Sequence, residues 1–150
     1  MPLTVTLPDG YGYTVLVALG MIPVLGFAQG SVVTTLRAAA KVPYPNPYAT
    51  ADQVKNSKEA YKFNCAQRAH GNLLENMPQT MALLLFNGLF FPLATPVLGL
   101  LWVGGRVLYA YGYVTSSMES RGGGRRIGGA FWLAQLGLLG LSVYNALQML

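Results

Sequence analysis

The sequence predicts an all-α integral membrane protein folded as a bundle of four transmembrane helices, and three observations predict it. Hydrophobic residues make up 53% of the 150-residue chain and charged residues only 10%, where a soluble domain is about a quarter charged. Four stretches approach the roughly 20 apolar residues that a spanning helix needs. The basic residues gather in the first and third connections between those stretches and avoid the second.

The first span runs from about residue 11 to 40, with the core TVLVALGMIPVLGFAQG. Pro23 lies inside it and, lacking an N–H and pressing its ring on the preceding turn, should kink the helix. Gly26 and Gly30, four apart, have the small-residue spacing that lets membrane helices approach closely. The second span runs from about residue 60 to 91, polar in its first half and apolar in its second (MALLLFNGLFF), with Pro78 at the divide. The third runs from about 96 to 117 and the fourth from about 127 to 150. They leave no room for a separate soluble domain, so residues 1–150 are expected to form one four-helix membrane domain. The opening MPLTVTLPDG has no basic stretch. No secretory signal is therefore expected, and the first span should be retained as an anchor.

Charge placement sets the orientation. Arg37, Lys41, Lys55, Lys58 and Lys62 flank or fill the first connection, and Arg121, Arg125 and Arg126 fill the third. The link from Phe91 to Pro96 is uncharged, and the N-terminal segment carries only Asp9. The positive-inside tendency then places both basic loops in the cytosol and both termini on the far side. Orientation, with anionic membrane lipid as a partner, accounts for the net charge of +5. Nucleic acid is not expected as a partner, because no basic stripe interleaved with aromatics is present. The prolines of KVPYPNPYA should make the first basic loop stiff and extended, and the glycines of RGGGRR should make the second flexible. The lone Cys65 excludes an internal disulfide, and no His or Cys stands at metal spacing from His70, so no metal is expected.

The chemistry-bearing residues lie where charge is least welcome. An ionised side chain at membrane depth costs about 2.5–3.5 kcal/mol on insertion scales, so it faces the bundle interior and carries function. Arg68, Asn72 and Glu75 fall at i, i+4 and i+7 on one face of the second helix. That face can clamp a small zwitterion, with the Arg on a carboxylate, the Glu on an ammonium and the Asn on a peptide group. The same spacing also suits a self-satisfied polar seam between helices. His70 points to the opposite face at about 100° per residue and should meet a neighbouring helix or subunit. On the third helix Arg106, Tyr109 and Tyr113 fall at i, i+3 and i+7. The tyrosines alone would read as an interfacial aromatic belt, but Arg106 lies too far from the basic loop for simple snorkelling at about 1.5 Å of rise per residue. Glu75 is its candidate partner, in competition with the ammonium role.

The segments FNCAQRAHGNLLENMP and WVGGRVLYAYGY, with VPYP in the first loop, resemble the MAPEG superfamily, the membrane-associated proteins in eicosanoid and glutathione metabolism. The type-three microsomal glutathione S-transferase branch is the nearest in pattern, over roughly Arg37 to the end of the fourth helix. The resemblance implies a homotrimer with glutathione at each subunit interface, opening toward the cytosol. It implies glutathione contacts for Arg37, Arg68, Asn72, Glu75, Tyr109 and Tyr113, and for His70 reaching the adjacent subunit's site. The thiolate-stabilising Arg of the family lies shortly after the second tyrosine. Arg121 fits that role best, although Ser120 occupies the ungapped position, with Arg125 and then Arg126 as fallbacks. Asn76 and Ala38 stand where relatives carry a Tyr and an Arg, which argues against leukotriene synthesis.

The activity implied by the resemblance is that of a membrane-bound glutathione transferase or glutathione-dependent peroxidase, with glutathione as co-substrate. A hydrophobic electrophile or lipid hydroperoxide is the other substrate. A free thiol has a pKa near 8.5, and lowering it by two units requires about 2.7 kcal/mol. One guanidinium at about 4 Å supplies up to about 4 kcal/mol at an effective dielectric of 20. Arg suits the task because it stays charged when partly buried. The alternatives are a non-catalytic relative that binds and presents a lipid, and a small channel subunit using Arg68, Glu75 and Arg106 as a polar path. The resemblance implies the endoplasmic reticulum membrane, with the mitochondrial outer membrane as the other candidate.

Overall fold

Residues 6–150 are described by the structure, a computed structural model; the first five, part of the opening segment without basic charge, lie outside the described residues. Among the described residues five helices occur in the order α1 (Tyr11–Ala40), α2 (Ala51–Asn56), α3 (Lys58–Gly88), α4 (Ala94–Thr115) and α5 (Phe131–Gln148), with a 3-10 segment at Gly123–Gly128 before the last. There is no strand among the described residues. Two of the long helices, α1 and α4, are long and apolar enough to cross a membrane.

The expected kink at Pro23 takes a different form. α1 continues through it, and the adjustment is a π-helical turn over Leu16–Met21, just N-terminal to the proline. A proline ring clashes with the carbonyl four residues earlier, here Leu19, and the wider π turn relieves that crowding. Gly26 and Gly30 do face α3, but at ordinary van der Waals spacing: a Cβ on each would lie 3.6 Å from Met77 and 3.7 Å from His70.

The first basic loop is held at both sides. Arg37 on α1 donates from Nη1 to the Asn46 carbonyl (2.7 Å), and its guanidinium lies over the rings of Tyr44 and Phe63. Asn64 of α3 brackets the Ala49 main chain, accepting from its N–H at 2.8 Å and donating to its carbonyl at 3.0 Å. Thr50 and Gln53 form a reciprocal capping box that starts α2, and Ser57 caps α3 through the Ala60 N–H. Each cap satisfies N–H groups that the first turn leaves free.

The second basic loop lies flat on α4, and glycines on both sides of the contact allow the close approach. A Cβ on Gly112 would strike the Gly124 carbonyl, and one on Gly128 would strike the Tyr109 main chain and the Gly105 carbonyl. Ser116 Oγ accepts the Gly124 N–H (2.9 Å) while donating to the Gly112 carbonyl (2.8 Å). This packing also explains why the fourth long helix begins at Phe131 rather than near residue 127.

Val17, Ala18, Ile22, Leu73, Leu84, Trp102, Phe131, Ala134 and Leu138 form the main core where α1, α3, α4 and α5 meet. Polar pairs lace α3 to α5 within it. Thr80 donates to Gln135 (2.7 Å), while Asn87 donates to Ser142 (2.8 Å) and receives from Asn145 (2.9 Å). A buried polar group without a partner loses its full desolvation energy, so these pairs fix how the two helices register.

Candidate functional site

α3 and α4 run antiparallel, and each carries a stripe of polar residues on the face turned to the other. On α3 the stripe is Tyr61, Cys65, Arg68, Asn72 and Glu75, stepping by three and four. On α4 it is Arg106, Tyr109 and Tyr113. The stripes face one another in reverse order: Asn72 meets Arg106, Cys65 and Tyr113 line one cavity, and Tyr61 reaches Ser117 beyond the end of α4. Arg68, Asn72 and Glu75 therefore do share a face, and it is the face turned to the tyrosines.

At the inner end of the seam, Arg68 and Glu75 form the one ion pair among the described residues, Nη1 to Oε1 at 3.2 Å, with side chains 52% and 54% exposed. Asn72 Nδ2 donates to the other Glu75 oxygen at 3.3 Å. Asn72 Oδ1 accepts from Arg106 Nη1 at 2.8 Å. Arg106 is 0% exposed, and its guanidinium sits over Phe131 (4.5 Å), Tyr109 (5.0 Å) and Trp102 (5.5 Å). The expected partnership of Arg106 with Glu75 is corrected: Asn72 stands between them, and Glu75 is taken by Arg68. Aromatic faces carry part of the charge balance that a carboxylate would otherwise supply.

Tyr109 and Tyr113 pack edge to face, centroids 5.7 Å apart, and continue the wall toward the basic end. There a cavity of about 320 Å³ is lined by Tyr61, Cys65, Tyr113, Arg121 and Gly122 among others. Arg121 is exposed and holds φ 48°, a left-handed conformation for a non-glycine residue, which costs about 1–2 kcal/mol. Its carbonyl accepts from Arg125 Nη1 (3.3 Å), which also reaches the Gly122 carbonyl (2.9 Å). The Arg125 guanidinium lies 5.3 Å from the Tyr113 ring. Arg121 thus lines the cavity, and Arg125 packs behind it on the wall residues Tyr113, Arg121 and Gly122.

Three expected residues lie outside the seam within one chain, His70 against a neighbouring helix as its off-face angle predicted. Arg37 is engaged with Asn46, Tyr44 and Phe63, and none of those contacts reaches the α3–α4 seam. His70 packs on Gly30 of α1, opposite the stripe. Arg126 is exposed in the 3-10 segment. Sequence reasoning missed Tyr61, whose hydroxyl donates to the Ser117 carbonyl (3.0 Å) and accepts the Gly122 N–H (2.8 Å), tying the Arg121 turn to α3. The signal was present: Tyr61 and Cys65 extend the same heptad-like spacing toward the N-terminus of α3. No cluster of three His, Cys, Asp or Glu side chains able to hold a metal occurs among the described residues.

A family model, the MAPEG family, matches residues 15–144 and so covers every residue of this seam. The chain belongs to the MAPEG family, a family of membrane proteins that includes glutathione transferases and related proteins.

Proposed function

We propose that the chain is a membrane-bound glutathione transferase, with glutathione-dependent peroxidase activity on lipid hydroperoxides, using the α3–α4 seam as its glutathione site. The observation that carries this reading is the continuous polar wall from the half-exposed Arg68–Glu75 pair through Asn72, Tyr109 and Tyr113 to the cavity beside Arg121. Glutathione is a zwitterion with an ammonium, two carboxylates, peptide groups and a thiol. Arg68 takes a carboxylate, Glu75 the ammonium, Asn72 a peptide or carboxylate oxygen, and the tyrosine hydroxyls the remaining acceptors. The mutual ion pair of Arg68 and Glu75 is exchanged for the ligand's opposite charges, so binding leaves neither side chain unpaired.

The tripeptide lies along the wall with its thiol toward the basic loop, where Arg121 stabilises the thiolate and Arg125 is the fallback. In conjugation, the thiolate sulfur forms a bond to an electrophilic carbon while a leaving group departs. In peroxide reduction, two glutathione molecules become the disulfide while the hydroperoxide becomes an alcohol and water. The basic loops face the cytosol, four helices span, and the protein assembles as a homotrimer in the endoplasmic reticulum membrane. Spanning by α5 is supported by its outward apolar face: Leu133, Leu136, Val143 and Leu147 are all exposed. His70 of an adjacent copy completes the site in that assembly, and Arg37 lines it.

The test is direct binding of glutathione to detergent-purified protein, followed by turnover with hydrophobic electrophiles and lipid hydroperoxides. Saturable binding with turnover supports the reading. Binding of a lipid without any glutathione turnover supports a lipid-presenting relative instead.

A further inference from the structure

We infer that Arg106 is a positioning residue that orients the Asn72 amide, so that the seam offers a hydrogen-bond donor to an oxygen acceptor of the ligand. The inference rests on the proposed glutathione site and adds a residue and a polarity to it. A guanidinium has N–H donors and no acceptor. Of the two ends of the Asn72 amide, only Oδ1 can therefore face Arg106, as it does at 2.8 Å. The orientation of Asn72 is fixed by chemistry, and Nδ2 is turned outward, where it now meets Glu75 at 3.3 Å.

The surroundings show that Arg106 is not placed there for its own sake. It is 0% exposed, and its Nε and Nη2 make no hydrogen bond. Its single polar contact is the one with Asn72. Trp102, Tyr109 and Phe131 hold the plane of the guanidinium from three sides, so Nη1 is aimed and cannot swing. The Asn72 main chain is braced as well, its carbonyl accepting from Asn76 Nδ2 at 2.8 Å. An amide whose carbonyl end is locked presents NH2 to the ligand at all times. It therefore recognises a carboxylate or peptide oxygen and repels an ammonium, which leaves Glu75 as the group for the positive end.

Glutathione affinity in Arg106→Met, Asn72→Ala, the double variant and Asn72→Asp tests this, with Arg106→Lys as the conservative rescue and a thermal melt and size-exclusion profile on each. A hydrogen bond to a charged group corresponds to about tenfold or more in affinity. Arg106→Met and Asn72→Ala should each weaken glutathione binding by about tenfold, raising KM more than they lower kcat, and the double variant should bind no worse than Asn72→Ala alone. Arg106→Lys, which keeps a charged donor, should recover most of the affinity. Asn72→Asp keeps the acceptor toward Arg106 and so preserves the buried contact, yet turns an acceptor to the ligand; it should bind more weakly than Asn72→Ala. If Arg106→Met does not fold, Arg106→Lys and Asn72→Asp decide alone. Independent losses in the double variant, or wild-type affinity in Asn72→Asp, overturn the positioning role while leaving the glutathione reading in place. Absence of glutathione binding to the wild-type protein overturns that reading and this inference with it.

Discussion

Arg68 and Glu75 are half exposed and bonded to each other, and ion pairs of that exposure contribute little to stability. Their loss should therefore register in ligand binding and hardly in folding. Arg68→Ala and Glu75→Gln are expected to raise the KM for glutathione by about tenfold or more, a charged hydrogen bond each, while the melting temperature shifts little; steady-state kinetics beside a thermal melt reads both. Equal destabilisation and unchanged KM would make the pair a structural seam. The face shared by Arg68, Asn72 and Glu75 was legible in the sequence because it needs only the repeat of one helix. The bond from Arg106 to Asn72 was not, because spacing along each helix leaves open which residues of two helices stand opposite. The nearest carboxylate was a reasonable expectation for a buried Arg, and an amide took that place.

The elements around the site are held by close backbone approach more than by large side chains. Gly112 and Gly128 are where the second basic loop touches α4, and a methyl at either would collide with main-chain atoms that cannot turn aside. Gly112→Ala and Gly128→Ala should each destabilise by about 1–3 kcal/mol and displace the turn that carries Arg121. Thermal unfolding in detergent checks the first effect and limited proteolysis of the loop the second. Tyr61→Phe removes both the bond to Ser117 and the one from Gly122, for about 1–3 kcal/mol; it should lower kcat more than it raises KM, because it frees the Arg121 turn and leaves the clamp intact. A kcat equal to wild type would show that the turn needs no such tie. The packing of the run RGGGRR on α4 was not legible, because a sequence shows the freedom of glycine but not the surface it is pressed against. The long helices, by contrast, were readable to within about four residues at their ends from apolar length and proline placement.

As a whole, the molecule separates two surfaces. One is apolar and faces outward along α1 and α5, with Val24, Phe27 and Leu133 among its most exposed residues. The other is the polar seam between α3 and α4, which ends at the basic loops. In the proposed reaction a hydrophobic electrophile dissolved in the bilayer would approach from the first and glutathione from the second. The apolar outer surface was legible from hydropathy, and the clustering of the basic residues at the loops from charge placement. The homotrimer expected from the family lies beyond the contacts within one chain; cross-linking in native membranes should give a ladder ending at three subunits, and a ladder ending at one or two would contradict it.

The central claim is that the α3–α4 seam binds glutathione and that Arg121 ionises it. The ultraviolet absorbance of the thiolate, measured as glutathione is added to purified protein, tests it most directly. Wild-type protein should give a saturable thiolate signal, and Arg121→Ala should lose that signal while still binding glutathione. An undiminished signal in Arg121→Ala would pass the role to Arg125 or Arg126, and no thiolate signal or binding in the wild-type protein would contradict the account.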